Sequence, residues 1–163
     1  MKKNVFFILA FIMLLAACEH RTVDAIAEVN ENMNLPFPLC LPETELKYGD
    51  EYDLIHGFGG YALCNEHLFI SVSGWRDVLD DYHITEYRVR GGDYHVFGIT
   101  IGGVLEDAIA FLEKRGYSRD DENNRMVHQK NEQMRITLFV DVNDIIIELW
   151  VTAIATNKDN VVF

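Results

Sequence analysis

The side chains able to do chemistry in this 163-residue chain are scattered. Ser71-Val72-Ser73-Gly74 carries two hydroxyls, but Phe69 or Ile70 stands where a nucleophile elbow needs its first glycine. The six histidines form no His-x-x-x-His pair on one element, so no zinc site is expected and no cofactor is assigned. Asp77, Asp80 and Asp81 gather after Trp75, and Asp120, Asp121 and Glu122 gather after a predicted helix. Neither group has the one-three-five spacing or the later bidentate Glu of a calcium loop, so both read as solvated loops. Glu86 and Glu148 invite comparison with the acid and base of a glycosidase. They fall at equivalent places in two similar stretches, which points to repeated architecture first. The expectation is therefore a protein without catalytic residues. Two rival readings stand beside it: a hydrolase or carbohydrate-acting enzyme using loop carboxylates, and a binder of a small ligand or metal.

Cysteine chemistry is more informative. Lys2 and Lys3 precede an apolar run from Val5 to Leu15, and the small residues Ala16 and Ala17 lead to Cys18. A positive start, a short greasy run and small residues at a cut site mark an export signal. The run is short for a membrane span, which takes roughly 20 apolar residues. Leu15-Ala16-Ala17-Cys18 resembles a bacterial lipobox. That resemblance implies diacylglycerol on the Cys18 thiol, cleavage before it and acylation of the new amino terminus, with palmitate among the chains. It implies a location at the bacterial cell membrane, held by lipid and facing away from the cytoplasm. An uncleaved anchor helix or an ordinary signal peptide is the alternative. Cys40 and Cys64 remain, as a disulfide formed after export or as two free thiols.

The expected organisation is a signal peptide at 1–17, a lipidated tether and extended segment at 18–47, and one globular domain at 48–163. Pro36, Pro38 and Pro42 stiffen the extended segment. The body without its signal is long enough for one domain with a core. The whole chain has a net charge of −12, and the two lysines of the signal leave the body more acidic still. That balance argues against nucleic acid as a partner and against adhesion to anionic lipid by surface charge.

The elements that position any site are legible mainly in the second half. Leu105, Ala108, Ile109 and Leu112 share one face of a helix predicted over 103–115. Acids lie in its first turn, Lys114 and Arg115 in its last, and Gly116 is placed to end it. Strands follow at 126–130, 133–142 and 145–155, with turns at Asn131-Glu132 and Asn143-Asp144. The first half reads as a shorter copy: a short helix over 48–58 ending at Gly59-Gly60, then strands around Leu68–Val72 and Ile84–Val89. The shared order suggests tandem repeats at 48–90 and 99–155. The expected fold is α+β: two tandem helix-plus-antiparallel-meander units forming one sheet, with the helices on one face.

With Ile99-Thr100-Ile101-Gly102 leading into the helix that carries Glu106-Asp107, this pattern resembles bacterial lipoproteins of the beta-lactamase-inhibitor-protein-like and small outer-membrane-assembly type. The resemblance implies binding of another protein rather than catalysis, and transfers no functional residue. Gly103-Val104-Leu105 departs from the usual polar helix start.

Alternation then divides the sheet. If Leu68, Ile70, Val72, Tyr87, Val89, Ile136, Leu138, Leu149 and Val151 face the helices, the other side carries Phe69, Ile84, Glu86, Arg88, Phe139, Ile146, Glu148 and Trp150, with Arg135 beside them. Aromatics mixed with Arg and Glu have the composition of a contact surface. Phe69, Glu86, Arg88, Phe139, Glu148 and Trp150 are the candidate partner-binding residues, for another envelope or extracellular protein. Ordinary cross-strand pairing is the alternative.

Overall fold

A computed structural model describes residues 24–57, 59–74, 82–120 and 126–154. The expected signal at 1–17, Cys18, the acids at 77, 80 and 81, and Asp121 and Glu122 lie outside the described residues. Among the described residues, two α-helices, α1 (Ala25–Glu31) and α2 (Leu105–Lys114), accompany an antiparallel sheet. Its strands are β1 (Asp53–Gly57), β2 (Gly60–Cys64), β3 (Leu68–Gly74), β4 (Tyr82–Val89), β7 (Ser118–Arg119), β8 (Val127–Lys130), β9 (Met134–Val140) and β10 (Ile146–Ala153). They lie in the order β1-β2-β3-β4-β10-β9-β8-β7, and β5 (His95–Val96) with β6 (Ile99–Thr100) forms a separate ribbon. The fold is α+β.

The helix face of the sheet is as the alternation predicts. All nine residues assigned to it, from Leu68 to Val151, are at most 2 % exposed. They form one cluster with Ala25, Ile26 and Val29 of α1 and with Ala108 and Leu112 of α2. Leu105 and Ile109 only flank that core, being half-buried. Gly116 ends α2 with a φ of +82°, a backbone shape that glycine adopts without penalty. Asn131 and Glu132 both have positive φ and lie in the three-residue turn between the paired Lys130 and Met134.

Two residues assigned to the open face are in the core instead. Ile84 is fully buried and Ile146 nearly so. Each sits at a register shift: one between Ser71 and Val72 where β3 meets β4, the other between Ile146 and Glu148 where β10 meets β9. A bulge adds a residue to one strand and reverses the alternation beyond it.

In place of the helix expected over 48–58, the chain makes a turn at 50–51 and then strand β1, and Phe58 lies outside the described residues. Gly59, with a φ of +86°, turns the chain into β2 rather than ending a helix. Gly60 is required for packing, because a Cβ there would meet the Val72 carbonyl oxygen.

The expected tether is also corrected, since much of it is part of the folded body. Asp24 caps α1 by accepting from the Ile26 and Ala27 amides, and Leu35, Leu39 and Cys40 are buried in the common core. The Glu28 carboxylate takes a hydrogen bond from Lys130 Nζ at 2.5 Å, and Arg115 Nε lies 3.9 Å from its other oxygen. Arg115 in turn lies over the rings of Phe111 and Phe97, at 4.1 and 4.8 Å. The chain then runs beside β4: Cys40 N–H donates to the Ile84 carbonyl and Ile84 N–H to the Leu41 carbonyl. This placement excludes the disulfide. Cys64 on β2 is separated from Cys40 by β3 and β4, three strand spacings or roughly 14 Å. A disulfide needs Cα atoms within about 7 Å. Both thiols are free.

Candidate interaction surface

The open side of the sheet is built outward from Arg88. On one side it pairs in register with Phe69 of β3, and on the other with Trp150 of β10. Directly opposed residues share a face, so the three side chains form a row across the centre of the sheet. The Arg88 guanidinium carbon lies 4.8 Å from the Phe69 ring centroid and 4.1 Å from that of Trp150. Phe139 extends the row, its ring 4.9 Å from Trp150 and tilted by 49°. Arg88 Nε donates to Glu86 Oε1 at 2.6 Å, and Thr152 Oγ1 donates to Glu86 Oε2 at 3.2 Å. Glu86 thus holds the guanidinium between the two rings. Each cation–π contact contributes about 0.5–1 kcal/mol at such a half-exposed site.

The arrangement brings together all six candidate residues on one face. Phe69, Glu86, Arg88, Phe139, Glu148 and Trp150 are each half-buried. Glu148 stands directly across from Phe139 and accepts from Arg90 Nε at 2.9 Å. Arg90 and Thr152 are members of the face that alternation alone did not single out; their signal is continuation of the period of two past Arg88 and Trp150. Trp150 Nε1 and Arg135 Nε are both buried donors without an acceptor among the described residues.

Charges on this face are paired with one another. Both glutamates are neutralised by arginines. Glu86 faces Thr152, and Glu148 lies four residues back along β10, a separation of roughly 13 Å at strand rise. The carboxylates of a glycosidase lie about 5–9.5 Å apart, closer than the backbone positions of these two. Their equivalence is one of position on the sheet.

Elsewhere, a groove of about 630 Å³ runs between the start of α2 and the Asn143-Asp144 turn, lined by Leu105, Ile109, Glu106, Glu113 and Arg119. A second, of about 540 Å³, lies between α1 and the Pro38–Pro42 segment, with the buried Cys40 among its lining residues. Burial, reinforced by the negative charge of Asp24, pushes the Cys40 thiol up to about 12, so no thiolate is present there at neutral pH. Burial also raises Cys64, with Asp53 adding to it and Arg90 opposing. His128 is fully buried, and desolvation lowers its pKa, keeping the ring neutral. Its Nδ1 faces the Met126 carbonyl at 3.3 Å. Asp141 is held below the usual carboxylate range by the Ile145 and Asn143 amides, which it receives in forming the turn. Among the described residues no three His, Cys, Asp or Glu side chains gather as a metal site, and no helix is long and apolar enough to cross a membrane. Comparison with protein-family models finds no match, and neither does comparison with curated proteins or with solved structures.

Proposed function

We propose that this chain is a lipid-anchored, extracytoplasmic binding protein without enzymatic activity, which engages another envelope or extracellular protein through the open face of its sheet. The observation that carries the reading is the central row Phe69–Arg88–Trp150–Phe139, half-buried on the face opposite both helices. Aromatics and arginine dominate measured binding energy at interfaces. Here the guanidinium is already oriented by Glu86, so less side-chain entropy is lost on docking. The resemblance to protein-binding lipoproteins agrees with this reading. So does the strand order, in which two four-stranded meanders meet at β4 and β10, as two tandem units would.

The anchor is the Leu15-Ala16-Ala17-Cys18 segment. Cells fed a labelled fatty acid should label the wild-type chain and not Cys18→Ala; equal labelling refutes the anchor. For the face, a photo-reactive residue at Phe139 should give a discrete crosslinked species in cells, and Trp150→Ala should abolish it while the chain still unfolds cooperatively. An undiminished crosslink in folded Trp150→Ala refutes the surface.

A further inference from the structure

The two edges of the sheet are unlike. At one end β7 has only two residues, and short edge strands resist pairing with other chains. At the other end β1 has five, all exposed, in unbroken register with β2. Its sequence Asp53-Leu54-Ile55-His56-Gly57 has no lysine, proline or bulge, the devices that commonly guard an edge. Leu54 is 43 % and Ile55 53 % exposed, one on each face. Among the described residues, no backbone group other than those of β2 pairs with this strand.

We infer that the free edge of β1 is a docking site for an extended segment of another protein, which adds as an antiparallel strand and carries basic residues at its carboxyl end. Main-chain hydrogen bonds to an edge supply affinity, and alternate side chains supply selectivity. On the helix side, an incoming apolar residue extends the layer formed by Leu54 and the fully buried Leu63 opposite it. On the open side, the next one meets Ile55 and a hollow of about 180 Å³ that Gly57, Gly59 and Gly60 leave beside Tyr61 and Phe69. Charge chooses the occupant. Residues 48–66 contain Asp50, Glu51, Asp53 and Glu66 and no lysine or arginine. Three of those acids lie at the start of β1, where an antiparallel strand ends. Lysine or arginine at the end of the incoming strand is attracted by these acids, whereas a second copy of β1 would bring His56-Gly57 there, with no lysine or arginine to meet them.

The test uses a fluorescein-labelled peptide of alternating threonine and valine ending in two lysines, the same peptide ending in two glutamates, and one N-methylated on its edge-facing amides. Each is titrated against the full chain in detergent. The lysine peptide should bind at least about ten-fold more tightly than the glutamate peptide, and N-methylation should remove binding. Ile55→Lys should weaken binding about ten-fold or more, and amide exchange at residues 53–57 should slow when the peptide is bound. Trp150→Ala should leave binding unchanged, which separates this edge from the open face. No binding at roughly millimolar peptide, equal binding of both tails, or tolerance of N-methylation each overturns the inference. So does self-association of the chain that Ile55→Lys abolishes, since the occupant is then a second copy.

Discussion

Removing the Glu28 carboxylate should loosen α1 from the rest of the molecule by an amount that can be worked out. Lys130 Nζ donates to Glu28 across 102 positions of sequence, and the two side chains are only 12 % and 20 % exposed. A hydrogen bond to a charged group contributes about 1.5–3 kcal/mol, and breaking a fully buried ion pair costs about 3–5 kcal/mol. Water reaches both groups slightly, so Lys130→Met should cost about 1.5–3 kcal/mol, the lower of those ranges. Glu28→Gln should cost more than Lys130→Met, because it strips a partner from Arg115 as well and leaves two cations facing one another. The double variant should cost less than the two singles together, with a coupling of about 1–2 kcal/mol. Urea denaturation followed by tryptophan fluorescence measures all four corners of the cycle. Coupling within the roughly 0.3 kcal/mol seen for independent sites would refute the docking of α1 and return residues 24–34 to a tether.

Further outcomes follow from single buried groups. Leu112→Ala, at a fully buried position of α2, should lower stability by about 2–5 kcal/mol in the same assay; a loss under about 0.5 kcal/mol would show α2 to be peripheral. His128 has a folded pKa below its unfolded value near 6.5, so the unfolded chain binds the extra proton. Its contribution is therefore complete above about pH 6.5 and is lost as pH falls through that value toward the folded pKa, and His128→Gln should flatten this part of the stability profile. Cys40 should resist alkylation in the folded chain and react once the chain is denatured, and mass spectrometry under oxidising conditions should find no bond between Cys40 and Cys64.

The second half of the fold was legible because its signals are local. The alternation of Met134–Val140 and the helical face ending at Gly116 need only neighbours in sequence to be read. What escaped reading is fixed by distant partners. Helix α1 has seven residues and weak propensity, yet Lys130, Arg115 and Gln133 secure it from the far side of the chain; the Gln133 side-chain oxygen accepts from the Ala25 amide. Strand β1 shows no alternation in burial because an edge strand has only one neighbour. Ile84 and Ile146 lie on the face opposite to the one that plain alternation predicts, because a bulge depends on register with the partner strand, which composition does not reveal. The central row of the open face was readable, since Phe69, Arg88 and Trp150 lie on stretches where the period of two holds. The ion pairs that orient its arginines were not, because they depend on which strands are neighbours.

If Cys18 carries the proposed lipid, the burial of α1 sets how far the body could stray from it. Ala25 is fully enclosed, and a leash of six peptide units separates Cys18 from Asp24 in the sequence. Fully stretched, that leash reaches about 20 Å, less than the diameter of a small domain. On that proposal the body would sample a thin layer above the headgroups. A partner would then meet it at the bilayer surface, at a local concentration set by the density of anchors in the membrane plane.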